Sequence, residues 1–280
     1  MIVFPHAKIN IGLSVTGKRN DGFHDIETVF YPIQLCDTLK IDPLETAVNE
    51  TVASGKLKFS LDGIALPDNG LLENLCCKAF LLLDADYRLP PVHIHLHKRI
   101  PVGAGLGGGS SDAAYTLKAL NDVFQLRIPD EKMIMYASHL GSDCTFFLQH
   151  RPAWGIGKGD ILNPLDLSLS DYHIILVKPP VSVRTADAYT AVVPRKPTNH
   201  LPELLQTPIS EWRHTVFNDF ENSIFQKFPE IKQIKERLYQ EGAVYASMSG
   251  SGSCVYGFFK RNMFGIDQSF PDCWVWNCEW

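Results

Sequence analysis

The sequence of 280 residues lacks several features that would place it in other classes of protein. It contains no uninterrupted run of about 18 apolar residues, so we expect no membrane-spanning helix. It has no cluster of lysine and arginine, and its formal net charge of -5 at pH 7 argues against binding to nucleic acid. The N-terminal segment also lacks the basic region and apolar stretch of a secretory signal peptide. These absences predict a protein with neither a membrane nor a nucleic-acid partner.

Paired cysteines are also missing. The seven cysteines are odd in number and form no C-x-x-C motif. We therefore expect reduced thiols and a cytoplasmic location. Hydrophobic residues make up 45% of the chain and charged residues 20%, which are ordinary values for a globular protein with a substantial core.

Glycine, by contrast, is concentrated in one segment that starts at Pro101. Five of the seven positions from 103 to 109 are glycine, and Ser110, Ser111 and Asp112 follow. A helical pattern comes next, with Ala113, Leu117, Leu120 and Phe124 on one face. Glycine permits positive φ and close approach of a ligand to the backbone, and a helix N-terminus offers unpaired N–H groups. The segment therefore predicts a phosphate-binding loop.

Three familiar types of nucleotide-binding loop do not fit this segment. The lysine and the spacing of a Walker A motif are missing. Gly103, Gly105 and Gly108 match G-x-G-x-x-G, but a second helical pattern that includes Met133 and Tyr136 follows, where a dinucleotide-binding fold needs a strand. The catalytic motifs of protein kinases are also absent.

The remaining patterns predict an α+β fold with antiparallel hairpins. Strands are predicted at residues 9–15, 28–35, 38–41, 56–61, 92–96, 172–178 and 254–259, and further helices at 72–83 and 229–241. The proline-rich segment 193–208 is predicted to be an irregular connection. His93, His95 and His97 alternate as metal ligands can, but apolar residues fill the positions between them, which favours a half-exposed strand.

Three other segments carry candidate functional residues. Lys8 and Asn10 share one face of a strand and would hold a substrate hydroxyl, or form an ordinary solvated face. Asp143 follows a helix-ending glycine and precedes an apolar run, so it would orient or deprotonate a hydroxyl, or cap the next segment. The small residues from Ser247 to Ser253 form a turn, or a second wall of a nucleotide site.

Together the Lys/Asn strand, the Pro-x-x-x-Gly-Leu-Gly loop and the late Ser-Gly-Ser-Gly turn resemble the GHMP small-molecule kinase superfamily. The stretches Ala7–Leu13, Arg19–His24, Asn74-Leu75 and Gly141–Asp143 are similar to members that act on a cytidine diphosphate-linked methylerythritol. Cys144 and Thr145 replace a usual apolar-Pro pair, which puts the placement of Asp143 in doubt.

This resemblance implies a two-lobed GHMP kinase fold. The N-terminal nucleotide-binding lobe would combine mixed or antiparallel strands with helices, and the C-terminal lobe would be an α/β sandwich. The corresponding domains would be residues 1–150 and 151–280. The reaction would be ATP-dependent phosphorylation of the 2-hydroxyl of the small-molecule substrate, in the synthesis of isoprenoid precursors by the non-mevalonate pathway. The alternative hypotheses are a kinase that acts on homoserine, mevalonate or a sugar, and a non-catalytic ligand sensor on the same fold.

The resemblance also implies roles for individual residues. Lys8 and Asp143 would flank the hydroxyl as catalytic residues, with Asp143 as the base. The ATP-binding residues would be Asn74, Pro101, Val102, Gly103, Ala104, Gly105, Leu106, Gly107, Gly108, Gly109, Ser110 and Ser111. The substrate-binding residues would be Asn10, Phe23, His24, Phe30 and Tyr189. Mg²⁺ is expected with ATP, and its ligands stay open, with Ser111 and Asp112 as candidates; Asp112 could instead be a helix-start residue. A homodimer also stays open.

Overall fold

The computed structural model describes residues 1–46, 55–65, 71–190 and 192–278. The strands within these ranges are β1 (Ile2–Val3), β2 (His6–Lys18), β3 (His24–Cys36), β4 (Thr38–Pro43), β5 (Leu57–Gly63), β6 (Val92–Lys98), β7 (Ala153–Ile156), β8 (Ile161–Pro164), β9 (His173–Lys178), β10 (Tyr245–Met248), β11 (Val255–Phe259) and β12 (Trp274–Asn277). The α-helices are α1 (Leu75–Tyr87), α2 (Gly108–Val123), α3 (Asp130–Leu140), α4 (Thr185–Tyr189), α5 (Leu201–Leu204), α6 (Ile209–Thr215), α7 (Phe220–Lys227) and α8 (Pro229–Gln240). Short 3₁₀ helices span Leu71–Glu73, Ser142–Leu148 and Ile266–Ser269. Among these described helices, none has the length and apolar character needed to cross a membrane.

The chain forms two compact units whose segments alternate along the sequence. The first unit comprises Met1–Ala7, Gln34–Val102 and Gly107–His150. The second comprises Lys8–Ile33, Gly103–Leu106 and Arg151–Trp280. The division of the chain into two domains, residues 1–150 and 151–280, remains a proposal. The compact units show which segments contact one another, and they do not show which segments fold independently.

The first unit contains a four-stranded sheet with the order β1-β4-β6-β5. Strand β6 is antiparallel to β4 and parallel to β5. Its alternating sequence buries Val92, Ile94 and Leu96 in a core shared with α1, α2 and α3. Helix α2 buries Ala113, Leu117 and Leu120 of its predicted apolar face, whereas Phe124 lies just after the helix and is half-buried against the same core.

The histidines of β6 lie on the opposite face of this sheet and have partners on β5. Ser60 Oγ lies 2.7 Å from His93 Nε2 and 2.8 Å from His95 Nδ1. His97 Nδ1 lies 2.7 Å from Asp62 Oδ1. Cross-strand hydrogen bonds therefore account for the alternating histidines.

The second unit contains two four-stranded sheets, with the orders β2-β3-β7-β8 and β10-β11-β9-β12. Every residue of β11 is buried, and β11 lies between β10 and β9 with antiparallel pairing on both sides. Helix α8 starts at Pro229, where proline needs no N–H partner, and buries Ile231, Ile234 and Leu238 as predicted. Both units combine sheets with helices, so the predicted α+β class is confirmed.

The prediction of an irregular segment at residues 193–208 is wrong for Leu201–Leu204, which forms α5. Pro202 is tolerated because it lies in the first turn, where the backbone nitrogen has no helical acceptor. The backbone N–H of Leu201 donates to Glu27 Oε1 at 2.9 Å, and the Leu201 side chain is buried. This distant carboxylate fixes the start of α5, and a local sequence pattern does not reveal it.

Candidate active site

The predicted phosphate loop leads directly into α2. Gly107 is the N-cap residue of the helix and adopts the left-handed conformation, with φ of 71°. The first helical hydrogen bond runs from Ser111 N to Gly107 O at 2.9 Å. By helix geometry the N–H groups of Gly108, Gly109 and Ser110 precede this bond and have no helical acceptor. Because Gly109 is exposed and Ser110 half-buried, the first turn offers backbone donors to an anion.

The middle of the loop packs against the late glycine turn of the second unit. Ser253 N donates to Gly103 O at 3.3 Å, and Cys254 N donates to Ala104 O at 3.2 Å. Ser249 Oγ donates to Gly105 O at 2.8 Å. The turn at 247–253 is therefore a support for loop residues 103–106.

Gly105 and Gly108 are required for different reasons. Gly105 has φ of 74°, and a Cβ there would lie 1.9 Å from Ser249 O. Gly108 has ordinary helical geometry, but a Cβ there would lie 2.8 Å from Ile100 Cγ2 and 3.1 Å from Lys98 Nζ. One glycine thus permits the approach of the late turn, and the other permits helix α2 to lie against the strand end.

Lys8 and Asn10 form a buried polar pair on β2. Lys8 Nζ donates to Asn10 Oδ1 at 2.5 Å and to Gly105 O at 3.0 Å. Asn10 Nδ2 donates to Thr28 Oγ1 at 3.0 Å. Both side chains are buried, so the alternative of an ordinary solvated strand face is wrong. Their common face points the Lys8 ammonium group at the loop carbonyl of Gly105.

Asp143 belongs to the first unit, at the second residue of the 3₁₀ helix that follows α3. Its side chain is half-buried, whereas the neighbouring Cys144 and Thr145 are buried. Cys144 stands where the similar kinases usually have an apolar residue. Its backbone N–H donates to Gly141 O at 3.1 Å, so the residue lies in a regular turn. Lys8 belongs to the second unit, and the pairing of Lys8 with Asp143 remains a prediction.

The predicted substrate-binding aromatic residues differ in exposure. The rings of His24 and Tyr189 stack, with centroids 4.7 Å apart and an interplanar angle of 19°. Phe23 is 59% exposed, and Lys158 Nζ lies 5.1 Å from its ring centroid. Phe30 is buried, with Lys8 Nζ 5.3 Å from its ring centroid. The structure thus brings His24 together with Tyr189 and brings Phe30 together with Lys8.

Asn74, predicted to lie near the adenosine, is the N-cap residue of α1. Its Oδ1 atom accepts a hydrogen bond from Cys76 N at 2.9 Å. Its side chain is half-buried. The side-chain oxygen therefore has a structural task at the start of the helix.

A buried charge cluster of Asp37, Lys98 and Asp112 was not predicted. Lys98 Nζ donates to Asp37 Oδ2 at 2.5 Å and to Asp112 Oδ2 at 2.8 Å. Asp112 is the fifth residue of α2, so its interpretation as a helix-start residue is wrong. Burial raises the pKa of the Asp112 carboxyl to about 8, although Lys98 opposes this shift. Asp112 is thus engaged by an ammonium group, which makes it a poor candidate for a Mg²⁺ ligand.

Asn218 and Glu221 were also missed, and both hold the late turn. Asn218 Nδ2 donates to Met248 O and to Gly250 O, each at 2.8 Å. Glu221 Oε1 accepts from Met248 N at 2.9 Å. Their partners are distant in sequence, and no local spacing could have identified them.

The glycine-rich loop, the buried Lys/Asn pair and the late turn are the features in which the chain resembles the GHMP small-molecule kinases. The family model for the N-terminal domain of GHMP kinases matches residues 74–150, and the model for the C-terminal domain matches residues 201–263. The chain therefore belongs to the GHMP kinases, and it shares the use of ATP that this class implies.

Similar proteins narrow this assignment. A 4-diphosphocytidyl-2-C-methyl-D-erythritol kinase from Bacteroides fragilis is 51% identical over 93% of this chain and 92% of the relative. One from Parabacteroides distasonis is 47% identical over 99% of this chain and 98% of the relative. The crystal structure of a 4-(cytidine 5'-diphospho)-2C-methyl-D-erythritol kinase matches with a TM-score of 0.80 and 33% identity, over 99% of this chain and 98% of that one. Within the GHMP kinases, the chain belongs to the 4-diphosphocytidyl-2-C-methyl-D-erythritol kinase family.

Replacement of Gly105 by alanine tests the close contact between the loop and the late turn. We expect Gly105→Ala to lower the free energy of unfolding by about 1–3 kcal/mol or more. Alanine is strained at positive φ, and its Cβ would clash with Ser249 O. Urea unfolding measures the effect. Gly109→Ala is the matched control, since a Cβ there meets only Leu75 Cδ1, at 3.8 Å. Equal unfolding free energies for the two variants would contradict the prediction.

Proposed function

We propose that this protein transfers the γ-phosphoryl group of ATP to the 2-hydroxyl of 4-diphosphocytidyl-2-C-methyl-D-erythritol. A bond forms between the hydroxyl oxygen and the γ-phosphorus, while the bond from that phosphorus to the β–γ bridging oxygen breaks. The hydroxyl proton passes to a carboxylate, and ADP leaves. The observation that carries the proposal is the first turn of α2, where the exposed Gly109 and the half-buried Ser110 have backbone donors that suit a phosphate, in a chain whose named relatives act on this acceptor.

For the chemical step, we assign the base to Asp143 and the fixed positive charge to Lys8. The hydrogen bonds from Lys8 Nζ to Asn10 and to the carbonyl of Gly105 support this assignment, because they hold the ammonium group in one position. A fixed cation stabilises charge that develops during transfer without having to reorganise. Phosphoryl transfer depends mainly on positioning and charge stabilisation, so a modest base is sufficient.

For ATP, we assign the loop from Pro101 to Ser111 to the phosphates and Asn74 to the neighbourhood of the adenosine. The N–H groups of Gly108, Gly109 and Ser110 are the donors that a phosphate would meet first. The loop supplies no lysine to the phosphates, so backbone dipoles would carry most of this recognition.

For the acceptor, we assign the cytosine base to His24 and its stacking partners. The stacked pair of His24 and Tyr189 supports this, since a ring held by another ring is preorganised to present its edge to a base. Phe23 is exposed and offers a further aromatic surface, while Phe30 would act from its buried position beside Lys8. Asn10 would contact the methylerythritol end.

We further propose that Mg²⁺ accompanies ATP. Within the described ranges, no group of three histidine, cysteine or acidic residues is arranged to hold a metal ion. This suits an ion that keeps its waters and is bound mainly through substrate phosphates with few protein ligands. A cytoplasmic location is consistent with the odd number of cysteines and with the absence of a C-x-x-C motif from the sequence.

Replacement of Asp143 tests the proposed base. We expect Asp143→Asn to lower kcat by about 10²-fold or more, with little change in ATP affinity, because the amide cannot accept the hydroxyl proton. Steady-state kinetics and direct titration with ATP measure the two effects. The exposed Asp130→Asn variant is the control for loss of one surface charge. Near-normal turnover by Asp143→Asn would remove this residue as the base.

Two variants of His24 separate stacking from recognition of the base edge. We expect His24→Ala to raise the KM for the cytidyl substrate and to leave the KM for ATP unchanged. His24→Phe retains a ring against Tyr189 but has no hydrogen-bonding edge, so we expect it to raise the same KM. If His24→Phe behaves as the wild type does, the ring stacks but does not read the base.

A panel of acceptors tests the substrate assignment. ADP release from Mg-ATP is measured with 4-diphosphocytidyl-2-C-methyl-D-erythritol, mevalonate, homoserine and galactose. We expect turnover with the cytidyl substrate alone. Turnover with another acceptor would contradict the substrate but not the class, and ATP binding without turnover on any acceptor would favour a ligand sensor.

A further inference from the structure

The buried charge cluster lies at the base of the phosphate loop. Lys98 is the last residue of β6, three residues before the loop begins at Pro101, whereas Asp112 lies in α2 beyond the end of the loop. The Lys98 side chain joins strand β6 to helix α2. Its backbone belongs to the strand, and its ammonium group donates to Asp112 Oδ2 in the helix at 2.8 Å. The cluster therefore links the segment that enters the loop to the helix that leaves it.

Asp37 holds the entering segment through its other oxygen. Asp37 Oδ1 accepts hydrogen bonds from Arg99 N at 2.6 Å and from Ile100 N at 2.8 Å. Asp37 Oδ2 accepts from Lys98 Nζ at 2.5 Å. One carboxylate thus fixes two consecutive backbone N–H groups and the cation that binds α2. Charge-assisted hydrogen bonds of this kind are shorter and stronger than neutral ones.

The helix start is adapted to this cation. A Cβ on Gly108 would lie 3.1 Å from Lys98 Nζ, so glycine at the first residue of α2 leaves room for the ammonium group. The side chains of Lys98 and Asp37 are 2% and 0% exposed, which excludes direct contact with bulk solvent. Breaking a buried ion pair usually costs more than such a pair contributes to stability. Stability alone is therefore a weak explanation for the cluster.

We propose that Asp37 and Lys98 are positioning residues that fix the phosphate loop in the shape that binds ATP. They act through the backbone of Arg99 and Ile100 and through the first turns of α2, and they do not touch the nucleotide. The inference rests on the proposed function insofar as ATP is the ligand of the loop. It adds two residues that the loop motif does not contain.

The test uses variants of the full chain. For each variant, calorimetric titration measures the affinity for ATP, and steady-state kinetics measures the KM for each of the two substrates. We expect Lys98→Met and Asp37→Asn to weaken ATP binding by about 10-fold or more, since small displacements of a positioned site have large effects. The KM for the cytidyl acceptor should stay unchanged. Lys98→Arg keeps the charge and should restore much of the ATP affinity.

Lys56→Met is the matched control, because it breaks the Lys56–Asp84 pair in the same unit, where the side chains are 34% and 15% exposed. Lys56→Met should change the free energy of unfolding only slightly and leave the affinity for ATP unchanged. If Lys98→Met does not fold, the isosteric Asp37→Asn decides the question. Folded variants with wild-type ATP affinity would overturn the proposal. Wild-type protein that binds ATP but does not turn over the cytidyl acceptor would overturn the proposed function instead, and the titrations would still test the cluster.

Discussion

The carbonyl oxygen of Gly105 is the point on which the second unit's part of the site depends. It accepts hydrogen bonds from Lys8 Nζ and from Ser249 Oγ, so strand β2, the phosphate loop and the late turn meet at one atom. A carbonyl oxygen has two lone pairs, and here both have a donor. The contact is possible only because Gly105 has no side chain. A single backbone group therefore sets the position of the proposed catalytic ammonium group relative to loop residues 103–106.

In the first unit, a buried cluster of charged side chains lies beside the start of helix α2. Two carboxylates and one ammonium group lie together near the start of α2. Burial raises the pKa of Asp112, and a proton on this carboxyl leaves the cluster neutral. Neutrality matters here, because an excess negative charge would offset the positive end of the helix dipole, to which we assign the phosphate. The raised pKa of Asp112 is thus compatible with the proposed anion-binding role of α2.

The sequence was sufficient where the determining residues are neighbours in the chain. The glycine-rich loop, the apolar faces of α2 and α8 and the shared face of Lys8 and Asn10 all follow from local spacing. The sequence was insufficient where the partners are distant. Asp37 lies 61 residues from Lys98, and Asn218 lies 30 residues from Met248. Strand pattern alone also could not show that Phe30 packs beside Lys8 while Phe23 is exposed.

The chemistry of phosphoryl transfer explains why such support is extensive. The transition state is loose, so the protein gains little from a strong base and much from fixed donors and charges. Asn218 and Glu221 hold the late turn, the late turn holds Gly105, and Gly105 holds Lys8. Each bond in this series restricts the backbone and leaves the reacting groups unchanged. A substitution far from the transferred phosphoryl group can therefore lower the rate through geometry alone.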